Sequence, residues 1–251
     1  MPFARTGFRA AALCLLALLY ASTVDAQDQP ASDLPEPEEG LHVSRSSYLV
    51  MVAMNGQQME MNVTHEVEDI EEGWRVTETA ESPMGQATDV EVLNREALTP
   101  ITRTVTQGPM RIELSYSDST VDGTIRMQGN EQAVDIALDG PIYSDGAAAN
   151  LVIAALPLVE DYHAEYQTLD LMQQRRRQMQ IDVAGIDSVD VPAGSFQTFR
   201  VEISSAEGGE GGTTLWIDQE SRLVVRAETS VPQLDGATLT SELQSSSRLD
   251  D

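Results

Sequence analysis

The chain contains no lysine. All 15 of its basic residues are arginine, set against 41 Asp and Glu, for a net charge of −26 over 251 residues. A surface this negative repels phosphate backbones and anionic headgroups, which excludes nucleic acid as a partner. Cysteine is nearly missing as well: Cys14 lies inside an apolar run, and none follows it. The rest of the chain therefore has no disulfide, thiolate metal site or cysteine nucleophile. Three histidines, His42, His65 and His163, leave few groups that titrate near neutral pH. There is no Gly-x-Ser-x-Gly elbow, no His-Glu-x-x-His pair and no lysine beside the Gly-rich stretch Glu207 to Gly212. Without a readable nucleophile and base, the expectation is a protein that is not an enzyme, with no catalytic residue, no cofactor and no metal centre.

Long hydrophobic runs are also missing. Ala10 to Tyr20 is apolar but too short to span a bilayer, and it follows Arg5 and Arg9. Val24 and Ala26 occupy the small-residue positions of a cleavage site. Residues 1–26 are therefore expected to be a signal peptide cut after Ala26, which places the mature chain in the periplasm or outside the cell, with no transmembrane span. Residues 27–40, QDQPASDLPEPEEG, are acidic and proline-bearing and read as a disordered linker. Residues 41–251 are long enough for a single domain that buries its own core. The acidic, lysine-free composition fits a high-salt habitat and equally an ordinary acidic exported protein.

From Tyr48 onward the pattern has period two. Met59, Met61, Val63, His65 and Val67 alternate with polar residues, as do Ile112, Leu114 and Tyr116, then Val121, Ile125 and Met127, then Val134, Ile136 and Leu138. Such alternation predicts antiparallel strands with one apolar and one wet face. Asn55-Gly56, Glu72-Gly73, Gly108-Pro109 and Gly129-Asn130 mark the turns of a meander. Phe196 to Ile203, Thr213 to Asp218, Arg222 to Thr229 and Ala237 to Leu243 continue the series. One segment breaks it: Ala147 to Leu156, alanine-rich and stopped by Pro157, predicts a short apolar helix buried against the sheet. The fold class is all-β with one or two short helices, a large curled antiparallel sheet around that helix.

Two stretches, VDVPAGSFQTFRVE (Val189 to Glu202) and LWIDQESRLVVRAE (Leu215 to Glu228), resemble an exported bacterial cell-envelope family of unknown function. Its marks are a Val-Pro-Ala-Gly-small-Phe turn and a Trp-containing strand ahead of a hairpin. LTPITRTVTQGPMRIELSY, GPIYSDG and AALPL are similar to that family's first half, so the resemblance covers most of the chain after Leu41. It implies a fold similar to that of the lipoprotein carriers LolA and LolB, an open half-barrel whose concave face holds acyl chains beneath a helical lid. No pairing of a lid with a gating arginine is readable in this sequence. In the quoted turn, Pro192 presets one dihedral and Gly194 supplies a conformation other residues resist, so the turn sets strand register rather than chemistry.

The expected function is a binder of a lipid or other hydrophobic small molecule; the alternative is a structural or protein-interaction module of the envelope with a closed core. Candidate ligand-binding residues are Met54, Met59, Met61, Val63, Ile112, Leu114, Tyr116, Met127 and Ile136. Methionine suits a cavity for acyl chains of variable shape, and it equally fills a core in which only 5% of residues are aromatic. Arg175 and Arg177, alternating onto the face of Met179 and Ile181, would meet an anionic head group at the cavity mouth or else balance nearby carboxylates. Asp161, His163 and Glu165 have the spacing of metal ligands along a strand, and in so acidic a chain also the look of a solvated face.

Overall fold

The computed structural model describes residues 34–249, apart from residues 84, 172, 210 and 232–235. The expected leader, its cleavage site and residues 27–33 of the linker lie outside the described residues. Fourteen strands among the described residues form one antiparallel sheet. In chain order they are β1 (Ser44–Met54), β2 (Gln57–Ile70), β3 (Gly73–Ser82), β4 (Gly85–Leu93), β5 (Pro100–Gln107), β6 (Met110–Tyr116) and β7 (Thr120–Met127). Then come β8 (Asn130–Ala137), β9 (His163–Asp170), β10 (Arg175–Val191), β11 (Gly194–Ser205), β12 (Gly212–Asp218), β13 (Val224–Val231) and β14 (Ala237–Ser246). Every neighbour in the sheet is a neighbour in sequence except at the centre, where β1 pairs with β14. The consecutive strands β8 and β9 therefore become the two edges, and the sheet is not closed into a barrel.

Local chemistry explains the turns. Asn55 and Gly56 have φ of 53° and 73°, the left-handed pair of a two-residue hairpin between β1 and β2. Between β7 and β8 the pair is Gln128-Gly129 and not Gly129-Asn130, because β8 already begins at Asn130. Pro192 and Ala193 form the loop of the β10–β11 hairpin, and Gly194 follows at φ 144°. Ala193 N–H donates to the Leu243 carbonyl at 3.2 Å, while Val189 and Phe196 pack with Tyr48, Met61 and Leu243. This turn thus fixes the register of its own hairpin and also docks it on the central strands β14, β1 and β2. A register shift at Gly185 supplies the bend.

The crossover from β8 to β9, residues 138–162, spans the gap between the edges and carries the helix α1 (Ala149–Ala154). The sequence pattern predicted a helix over 147–156; the observed one is shorter and has no side-chain cap, so packing holds it rather than its own ends. Val152 and Ile153 of α1, with Leu156 just beyond it, are 2% exposed or less and pack against Val67, Val76, Leu93, Ile181, Val201, Leu215 and Ile217. The face of the sheet that carries these residues is the inner face, and α1 plugs it. At the far end, Leu169 and Leu171 join Ile112, Leu114, Val134 and Ile136, bringing the two edges close by side-chain packing alone. Residues 34–40, read from composition as linker, lie along this plug. Glu38 N–H donates to the Ala155 carbonyl at 2.8 Å, the Tyr143 hydroxyl donates to the Pro35 carbonyl, and Leu34 packs on the core.

Candidate functional site

Strand register places a charged row on the otherwise apolar inner face. His65 on β2 lies opposite Glu78 on β3, which lies opposite Asp89 on β4. One pair further along, Val76 faces Glu91, and Glu91 faces Arg103 on β5. Arg103 grips the Asp89 carboxylate with Nη2 at 2.7 Å and Nε at 3.1 Å, and reaches Asp145 of the crossover with Nη1 at 2.7 Å. Its Nε also lies 3.7 Å from Glu91. Glu91, fully buried, holds the crossover a second time: the Ser144 hydroxyl lies 2.6 Å and 2.7 Å from its two oxygens, and Ala148 N–H donates at 2.8 Å. Gly146 passes so close that an added Cβ would stand 2.4 Å from Arg103 Cζ. This cluster fastens the crossover immediately ahead of α1. Further bonds hold it nearer its ends, where Leu138 N–H donates to the Ser119 carbonyl at 2.7 Å, Tyr143 N–H to the Gln167 carbonyl at 2.8 Å, and Val183 N–H to the Tyr162 carbonyl at 2.9 Å.

The electrostatics follow from burial. Desolvation pushes the Glu91 carboxyl up to about 7, against the pull of Arg103 and with the push of Asp89. The Asp145 carboxyl is also raised, chiefly by burial, with Arg103 opposing. For Arg103 burial alone would lower the pKa, yet Asp145, Glu91 and Asp89 together hold it well above its usual range. Burial raises Tyr116, whose ring lies within reach of the same charges. Beside the cluster, His65 Nε2 meets Glu78 at 2.7 Å and its ring lies 5.3 Å from that of Tyr48. The contact with His65 lowers the Glu78 carboxyl against the effect of burial.

The residues singled out from the sequence are not gathered in one place. Met61 and Val63 are buried with Tyr48, Val50 and Leu243, and Met59 is half-buried beside them. Ile112, Leu114 and Ile136 belong to a separate cluster at the β6–β8 end, with Tyr116 packed on it. Met54 is half-buried at the end of β1, and Met127 is 46% exposed at the end of β7. Arg175 is exposed, bonded to Gln173 and 3.6 Å from Glu207; Arg177 lies opposite Thr168 on β9. Arg176, on the other face, pairs with Asp139 and Gln167. Of the spaced triplet, Asp161 precedes β9 with φ 62°, His163 Nδ1 meets Asp182 at 2.7 Å, and Glu165 accepts from Gln178. Among the described residues no three metal-ligating side chains converge. His65 continues the apolar face of β2 and is part-buried there, bonded to Glu78.

Asp89, Glu91, Arg103, Ser144 and Asp145 did not stand out in the sequence. The available signal was parity: Asp89 and Glu91 alternate in step with Leu93, and Arg103 with Val105.

Two cavities flank the plug. One, of about 160 Å³, is lined by Ile101, Tyr116, Leu138, Pro141 and Ile142 among others. The other, of about 30 Å³, lies between Tyr48, His65, the end of α1 and Arg222. No helix among the described residues is long and apolar enough to cross a membrane.

The sequence pattern of a family described as proteins of unknown function, DUF3108, matches residues 47–240, which takes in most of β1, all of β2 to β13 and the whole crossover. The chain belongs to DUF3108. No curated protein is matched as a relative. Among solved structures, this DUF3108 chain is similar to a Bacteroides fragilis protein described as exported with a YmcC-like fold. The two share 12% identity and a TM-score of 0.31 over 85% of this chain and 99% of that one. The hypothetical lipoprotein YmcC from Escherichia coli shares 11% identity and a TM-score of 0.32, covering 79% and 83%. A DUF1329 family protein from Desulfovibrio piger shares 10% and 0.29, covering 82% and 85%.

Proposed function

We propose that this DUF3108 protein is a non-catalytic binder of the cell envelope, which takes a lipid or other hydrophobic ligand on the inner face of its sheet when the crossover 138–162 moves aside. One observation carries the reading. The inner face is covered by a non-strand segment that is held by the Arg103–Glu91 cluster and by isolated backbone bonds to Ser119, Gln167 and Val183, and that is no strand of the sheet among the described residues. Removing it would bare a continuous aliphatic surface from Val67 to Ile217 without breaking the sheet. The leader-like residues 1–26 support an envelope location.

A second reading, a closed interaction module, is favoured by cavity size. Spaces of about 160 Å³ and 30 Å³ fall short of the several hundred Å³ that drug-sized ligands occupy. Native mass spectrometry of protein purified without detergent, before and after organic extraction, separates the two. A bound mass of lipid size, reloaded by added fatty acid or phospholipid, supports carriage. A clean apo mass with no uptake removes it and leaves the interaction module.

A further inference from the structure

The smaller cavity has a chemistry of its own, apart from the apolar face. It lies between segment 39–42, the inner face of β1 and β2, the C-terminal end of α1 and the β12–β13 turn. Arg222 and Arg248 both line it, together with His42 and His65. In a chain with 41 acidic residues, the described arginines are nearly all spent in ion pairs, yet Arg248 has no carboxylate within 4.0 Å among the described residues. Burial lowers its pKa, while the fields of Glu39 and Asp218 work the other way. Arg222 is bonded through Nη2 to Glu38 at 3.1 Å and lies 5.3 Å over the Phe199 ring, but its buried Nη1 has no partner. The Nδ1 atom of His65 is buried and unpartnered too.

Leaving a buried polar atom unpaired costs roughly 1–3 kcal/mol in general, so the coincidence of an arginine donor and a histidine acceptor around one cavity calls for an occupant. At about 30 Å³ the cavity exceeds the roughly 10–15 Å³ that holds one water, so it admits at most the oxygen end of a small ligand and leaves the rest of that ligand outside. The other carboxylates near the cavity are engaged elsewhere. Glu38 is on Arg222, Glu78 on His65 Nε2, and Asp218 on the backbone and hydroxyl of Ser221. Glu39 meets His42 at 3.4 Å at the rim. Arg222 also has φ 56°, a left-handed conformation that costs an arginine more than a glycine or asparagine. Arg248 is set in place by the short turn Ser247–Leu249: Arg45 N–H donates to the Ser247 hydroxyl, and Arg248 N–H to the Ser246 hydroxyl.

We propose that this cavity is an anion site for a single carboxylate group, held by Arg222 and Arg248, with a water bridging it to the Nδ1 lone pair of His65 at the inner end. The carboxylate is either the head of an amphiphile or a free small acid. The chain's long-range field repels anions, so the site works through contact and not through steering. The inference goes beyond the binding of an apolar cargo, because a carboxylate with no tail tests it by itself.

The test is isothermal titration of the full mature chain with acetate and, separately, with decanoate, in a carboxylate-free buffer. The expected result is saturable one-to-one binding of acetate. Arg248→Gln should weaken it by about tenfold or more, as loss of a charge-assisted contact does, and Arg75→Gln, on an exposed pair with Glu68, should leave it unchanged. Decanoate binding tighter than acetate assigns the group to an amphiphile; equal binding assigns it to a free acid. If Arg248→Gln does not fold, the arginine Nε–H resonances of the wild-type protein are followed on acetate addition. Absence of saturable binding, equal binding by Arg248→Gln, or resonances of Arg222 and Arg248 that stay put overturns the proposal, leaving the cavity to water.

Discussion

Glu91 is the residue whose environment departs furthest from what its type prefers. Its carboxyl titrates near 7 in the folded protein and near 4.5 in an unfolded chain, so folding takes up a proton between those values. The stabilisation is complete below about 4.5 and is lost as pH rises through about 7. Against a Glu91→Gln variant, the wild-type urea midpoint should therefore fall between about pH 5 and pH 8; parallel curves for the two proteins would refute the assignment. Arg103→Met is a different perturbation, since it leaves Asp89, Glu91 and Asp145 together without their cation. It should cost roughly 3–5 kcal/mol at neutral pH, measured by the same titration. The sequence hid this cluster for a physical reason. In GQATDVEVL the valines alternate with Asp89 and Glu91, and the usual rule turns the valines inward. Here Glu91 is buried while Val90 and Val92 are only half-buried, because β5 presents an arginine in the facing position. Only the partner strand carries that information.

At the level of elements, the strands were readable because each buries one face, and period two records which. The Asn55-Gly56 hairpin and the strand that follows the Pro-Ala-Gly turn lie where their residues predicted. Less readable was how far the β10–β11 hairpin bends beyond Gly185, since a bulge has no signature beyond a glycine in a strand. Gly194→Ala forces a side chain into φ 144° at the start of β11. It should destabilise by roughly 1–3 kcal/mol, seen as a lower thermal midpoint with the native far-ultraviolet spectrum kept. The alanine-rich helix was also legible, although its length was set by packing and not by caps. Ile153→Ala should cost about 2–5 kcal/mol, because Ile153 is 2% exposed and fills the inner face. A loss below about 0.5 kcal/mol would mean the plug is loosely seated.

For the whole molecule, the −26 charge opposes compaction at long range, whereas the Arg103 cluster is buried and screened little. Raising the salt concentration should thus raise the thermal midpoint, and should do so equally in the wild type and in Glu91→Gln; a midpoint independent of salt would refute the repulsion argument. The sheet order adds a consequence of a mechanical kind. Since β1 pairs with β14, the residues that open the domain lie beside those that close it, with Ser46 facing Ser246. A force that draws these two ends apart does not load the ladder in shear. It opens the ladder one rung at a time, from Ser46 toward Ala53, and so parts the fourteen strands along their middle into two eight- and six-strand halves whose remaining covalent link is the crossover and whose outer edges stay packed through Leu169 and Leu171. Under tension at its ends the molecule would yield first at its centre, while its outer edges stay fastened.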